Sequence, residues 1–222
     1  MDAAYLQNLL DDPDWLPGPG RLFAAFASPP AHCRYLLFGE SPYPRAASAN
    51  GIAFYDAAVD ALWSDKGLSK AVNRATSLRN IIKTALLAEG LLQAEANGQV
   101  PQPKIAQLDK QGLAQTLSEV FQRLKQAGVV LYNATPVLHS TRSVRMEARH
   151  WHSFNARLLQ GINQTRQPPP TLILWGKIAQ EIDKIPAAQA NPRIACEHPY
   201  NISFIHNPQM HTLFAELRLL HG

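Results

Sequence analysis

The residues richest in chemistry stand where apolar runs end. The run 34-RYLLF-38 gives way to 39-GESPYPRAASANGIAF-54, which gathers an acid (Glu40), a serine (Ser41) and two aromatic rings (Tyr43, Phe54) in one loop. The run 128-GVVLYN-133 ends on Asn133, 171-TLILWG-176 leads into Lys177, and 193-RIACEH-198 ends on His198 and opens 198-HPYNIS-203. An acid in a cleft can act as a base or stabilise charge; the alternative for Glu40 is a solvated loop acid. Ser41 has no His and Asp in the order of a hydrolase triad, so it is not expected to be a nucleophile. Asn133 either caps the next segment or serves a site. His198 is either a capped structural histidine or a functional one, and Tyr43 and Phe54 either fill the core or line a pocket. His139, His150, His152, His206 and His211 show no spacing suited to a metal, and no metal or cofactor is expected.

The four apolar runs are rich in strand formers and read as buried strands. Between them lie segments with helical spacing of apolar residues: 77–93 with Ser77 as its cap, 111–126 ending at Gly128, 147–163, and 177–185 before Pro186. Residues 94–107 read as an exposed loop and 164-QTRQPPP-170 as a stiff connector. Strands alternating with helices predict an α/β fold with a mainly parallel sheet. In such a sheet the loops at the carboxyl ends of the strands form the binding crevice. Glu40, Tyr43, Phe54, Asn133 and His198 would then converge.

Composition sets the outer bounds. The 222 residues suit one domain spanning 1–222, and 46% hydrophobic residues can fill a core. A net charge of +4 leans toward an acidic partner such as nucleic acid. Arg142, Arg145 and Arg149 are either a DNA-backbone contact or a solvated basic face. Cys33 and Cys196 match no metal or redox spacing and read as free thiols in a reducing cytoplasm. The sequence has no run of 18 apolar residues, and MDAAYLQNLLDDPDW lacks a signal-peptide pattern. A cytoplasmic protein without a membrane partner is expected.

Taken in order, these motifs resemble those of the classical uracil-DNA glycosylases. That family's water-activating loop, G-Q-D-P-Y-H followed by G-L-x-F, is matched by GESPYP and GIAF. Its S-L-x-N helix start is matched by 77-SLRN-80, and its L-L-N-T by 131-LYNA-134. The motif L-L-W-G-x-x-A-Q is matched by 173-ILWGKIAQ-180, and H-P-S-P-L-S by 198-HPYNIS-203. The resemblance covers residues 34 to 208. It implies a three-layer α/β/α sandwich around a four-stranded, mainly parallel sheet, and a monomer acting on uracil-containing or damaged DNA.

The resemblance also implies roles. Phe54 would stack on a flipped-out uracil, Asn133 would hydrogen-bond its edge, and Tyr43 would exclude a thymine methyl. His198 would support charge on the uracil oxygen, and Ile202 would enter the duplex as a wedge. Ser77, Ser203 and the backbone at Lys177 would grip phosphates. The family's catalytic Asp falls on Ser41, which carries no charge. Glu40 stands one residue earlier, where the iron–sulfur members of the wider superfamily have G-E-x-P, and would supply the missing carboxylate; the cluster cysteines of those relatives are absent. Pro44 replaces the family's His, and Tyr200-Asn201 replace Ser-Pro. Two functions follow: a divergent monofunctional DNA glycosylase with Glu40 and His198 catalytic, or a weakened, DNA-binding or damage-sensing protein.

Overall fold

The computed structural model describes residues 3–12 and 14–221. In chain order its elements are α1 (Ala3–Asp11), β1 (Trp15–Leu16), β2 (Tyr35–Gly39), β3 (Trp63–Ser64), β4 (Gly67–Leu68), α2 (Lys70–Arg74), α3 (Thr76–Ala88), α4 (Gln102–Gln107) and α5 (Leu117–Gln126). They continue with β5 (Val129–Asn133), β6 (Leu138–His139), α6 (Val144–Thr165), β7 (Thr171–Trp175), α7 (Ile178–Ile182), β8 (Arg193–Cys196) and α8 (Pro208–Leu217). The chain divides into two compact units, Met1–Ala58 with Gly128–Ala195, and Val59–Ala127 with Cys196–Gly222.

The first unit carries the central sheet, in the order β5-β2-β7-β8. Strands β2 and β5 pair in parallel from Tyr35 opposite Val129 to Gly39 opposite Asn133, and β2 and β7 from Tyr35 opposite Thr171 to Phe38 opposite Leu174. The four apolar runs form the four strands of this α/β fold. Every residue of β2 and β5 is buried, which is why these segments are continuously apolar and do not alternate. Leu36, Phe38, Val130, Tyr132, Leu172 and Leu174 share a core with Leu159 and Ile162 of α6 and Ile182 of α7.

Helix α6 is longer than the predicted 147–163 because Ser143 caps it, accepting from the Met146 amide at 3.3 Å. Its buried Asn155 accepts from the Tyr132 hydroxyl at 3.1 Å and donates to the Ala134 carbonyl at 2.9 Å, pinning the chain on both sides of Asn133. Helix α1 docks through Tyr5, whose hydroxyl donates to buried Glu147 and accepts from the Trp151 indole at 2.9 Å. Burial raises the Tyr5 phenol well above its ordinary range, with the hydrogen bond to Glu147 adding to the shift.

In the second unit, α3 packs against α8 and the 3-10 turn Ile202–His206. Ser77 does not cap α3. Ala75, which ends α2, turns the chain so that the helix starts at Thr76 and Ser77 falls in its first turn. The helix also stops at Ala88, short of the expected residue 93, and a turn follows at Gly90, whose φ is 71°. Helix α5 begins at Leu117 and not at 111, because 113–116 makes tertiary backbone bonds. The Ala114 amide donates to the Leu220 carbonyl at 2.8 Å, and the Gln115 carbonyl accepts from the Leu62 amide at 2.9 Å. The loop expected over 94–107 contains α4. The buried side chain of Glu89 accepts from the amides of Leu220 and His221, tying the segment after α8 to the end of α3. Among the described residues no helix is long and apolar enough to cross a membrane.

Removing the Asn155 side chain leaves a buried hydroxyl and a buried carbonyl without their partner. Asn155→Ala is expected to lower the unfolding free energy by about 2–4 kcal/mol, measured by urea denaturation. A midpoint equal to that of the unsubstituted protein would contradict the clamp.

Candidate active site

The site begins where the paired strands β2 and β5 end, at Gly39 and Asn133. A Cβ on Gly39 would lie 2.4 Å from Asn133 Oδ1 and 2.8 Å from Ala53 Cβ. Only glycine therefore lets the Asn133 carboxamide and the returning loop close over this strand end. Backbone bonds continue the closure: the Ala134 amide donates to the Gly39 carbonyl at 2.8 Å, Thr135 to Glu40 at 3.0 Å, and Ala53 to Leu131 at 3.1 Å.

The loop is held from within. Arg45 pairs with buried Asp56 at 3.1 Å, and Asp56 also accepts from the Ala58 amide at 2.9 Å. Arg21 donates to the Ala49 carbonyl at 3.2 Å. Gly51, at φ 84°, passes so close to the Arg21 carbonyl that a Cβ would sit 2.0 Å from it. This scaffold sustains an unusual backbone at Phe54, whose φ of 62° is rare for a bulky residue. Such strain clusters at ligand sites. The Phe54 ring meets Trp175, the last residue of β7, edge to face with centroids 5.0 Å apart.

Tyr43 donates its hydroxyl to the Phe54 carbonyl at 3.3 Å. Its phenol is pushed up to about 12, chiefly by burial, with the Asp56 charge adding and Arg45 opposing. It is a neutral, fixed ring at physiological pH. Asn133 is 4% exposed, and among the described residues its side-chain amide has no hydrogen-bond partner. A buried amide with an open donor and acceptor can read the edge of a planar heterocycle.

Glu40 is exposed, and among the described residues its carboxylate has no partner; Ser41 is half-buried beside it. Lys177 is exposed, after Gly176 at φ 76° and at the start of α7. Glu40, Tyr43, Phe54, Asn133 and Lys177 thus all follow from the carboxyl ends of β2, β5 and β7.

The second unit holds Ser77, His198, Ile202 and Ser203. His198 Nδ1 accepts from the Tyr200 amide at 3.1 Å. With Nδ1 accepting, Nε2 is the ring nitrogen left to donate. The loop 198–203 is anchored by Asn80, which is 1% exposed and donates to the carbonyls of Pro199 at 2.7 Å and Asn201 at 3.3 Å. Ile202 and Ser203 are exposed at the start of the 3-10 turn, and Ser77 is half-buried. Among the described residues no group of three or more His, Cys, Asp and Glu is placed to hold a metal.

Three contributors have no role legible in the sequence. Asn80 closes the SLRN stretch, but nothing in its spacing tells that it reaches residues more than a hundred positions away. Trp175 reads only as a strand residue. Gly39 reads as a strand end, while its close approach to Asn133 requires the register.

Asn80→Ala removes both donors to the 198–203 loop. The amides of Tyr200 and Asn201 are expected to exchange with solvent about tenfold faster, measured by hydrogen exchange, with α5 unchanged. Unaltered exchange would mean that the loop does not depend on Asn80.

No family profile matches the chain. Curated relatives are the uracil-DNA glycosylases of Oleidesulfovibrio alaskensis, 26% identical over 74% of this chain and 60% of that protein, and of Corynebacterium glutamicum, 25% identical over 87% and 72%. The chain thus spans less than two thirds of the length of the first. The mimivirus uracil-DNA glycosylase shares the fold, with a TM-score of 0.56 at 18% identity over 88% of this chain and 61% of that one. The crystal structure of the Nitratifractor salsuginis UNG is far closer: 40% identical, with a TM-score of 0.93 over all of this chain and 87% of that one. With that identity and coverage, the chain belongs to the uracil-DNA glycosylase family.

Proposed function

We propose that the chain hydrolyses the N-glycosidic bond of uracil, or of a related damaged base, flipped out of DNA, as a monomer and without a cofactor. The observation that carries this reading is the open, buried amide of Asn133 at the end of β5. It offers a base both a donor and an acceptor that water reaches poorly. Phe54 supplies the stacking face, and the fixed Tyr43 ring discriminates against a methyl group.

Cleavage sends the bonding pair to the base and leaves positive charge on the sugar, which water then attacks. The neutral His198 imidazole, donating from Nε2, supports the charge on the base oxygen. Glu40 stabilises the sugar cation and accepts the proton of the attacking water, a role that Ser41 cannot fill. Its exposure fits a group that meets its partner only when DNA covers the loop, since catalytic hydrogen bonds often tighten only in the complex. Ile202 fills the gap left by the base, and Ser77, Ser203 and the Lys177 backbone grip phosphates.

A second reading rests on the uncharged Ser41 together with the exposure of Glu40. In it the chain binds uracil-containing or damaged DNA and senses it with little or no turnover.

Excision of one uracil from a labelled oligonucleotide separates the two. A carboxylate about 5 Å from the sugar cation at an effective dielectric of about 20 contributes roughly 3 kcal/mol, on the order of a hundredfold in rate. Glu40→Gln is therefore expected to slow excision about a hundredfold. A silent unsubstituted protein whose Ser41→Asp variant gains activity would overturn the glycosylase reading in favour of the sensing one.

A further inference from the structure

Two large apolar side chains stand in solvent on one short loop: Tyr200 is 68% exposed and Ile202 is 69% exposed. The backbone beneath them is not loose. Asn80 holds the carbonyls of Pro199 and Asn201, the Asn201 amide donates to the His198 carbonyl at 2.9 Å, and the Tyr200 amide donates to His198 Nδ1. A protein that needed this loop only to orient His198 would need the Tyr200 amide and not its ring, because any residue except proline supplies that bond. Among the described residues the ring makes no stacking contact and its hydroxyl no hydrogen bond. Displaying it on a fixed backbone lowers the conformational cost of stacking against a flat partner.

We propose that Tyr200 is a second stacking group of this site. Its ring packs on the nucleobase adjoining the position vacated by the flipped nucleotide, while Ile202 fills the vacancy. This rests on the DNA-binding reading above and names a further contact within it. Every base has a π-face, so the contact is tolerant of sequence and serves single strands as well as duplexes. A phenol suits the task, being a flat apolar body whose hydroxyl can remain in water.

The test uses binding alone, so that chemistry does not enter. The probe is a single-stranded oligonucleotide carrying a tetrahydrofuran abasic analogue with 2-aminopurine beside it. The full chain is compared as the unsubstituted protein, Tyr200→Phe and Tyr200→Ser, all of which keep the amide that holds His198. Stacking on the ring is expected to quench the 2-aminopurine in complexes of the unsubstituted protein and of Tyr200→Phe, with Kd values within about threefold of each other. Tyr200→Ser is expected to lose the quenching and weaken Kd by about tenfold or more. Equal quenching and equal Kd in Tyr200→Ser would overturn the stacking role while leaving the glycosylase reading intact. Failure of the unsubstituted protein to bind the probe would overturn both.

Discussion

The site depends on a close approach between two parallel strand ends. Gly39 and Asn133 are register partners, and the Asn133 carboxamide occupies the space where any other residue at 39 would place its Cβ. The same missing Cβ admits Ala53, so one absent atom determines both where the amide lies and where the loop carrying Phe54 returns. Two supports preserve this arrangement: the Asn155 side chain, which pins Tyr132 and Ala134, and the Ala53 amide bonded to the Leu131 carbonyl. Protein interiors are packed too densely to absorb an extra methyl at such a close approach without displacing something.

Around those strand ends the chain accepts local costs that a purely structural domain would avoid. Phe54 is held at positive φ, and the amide of Asn133 is buried with no partner among the described residues. The Phe54 backbone is disfavoured by roughly 1–3 kcal/mol on its own. It survives only because the surroundings over-determine it, and the Arg45–Asp56 pair and the Gly51 turn supply that constraint in the loop. The second unit applies the same logic to a different group: a buried asparagine fixes a loop backbone, and that backbone fixes the protonated nitrogen of His198. Precision in both places comes from hydrogen bonds to main-chain atoms, which tolerate little movement.

Much of this was legible from residue order. Strands β2 and β5 were readable because both of their faces are buried, making 35–38 and 129–132 uninterrupted apolar runs. The turn chemistry after Gly39 marked the candidate loop, and the ordered motifs pointed to the family. What remained hidden was tertiary. Residues 113–116 carry a helical pattern but bond to the Leu220 carbonyl and the Leu62 amide, so α5 starts late. Ser77 looks like a cap, but the turn at Ala75 starts the helix ahead of it. The reach of Asn80 to Pro199 and the ring contact of Trp175 with Phe54 exist only once distant segments are placed together.

The central claim is that the Asn133 amide is held open to receive a base. Its side-chain NH2 resonances, followed in a 15N-labelled sample during titration with free uracil, test this directly. A saturable shift of those resonances, absent on titration with thymine, is the predicted result. Resonances that stay in place at saturating uracil, with the fold intact, would contradict the claim that this amide reads a base.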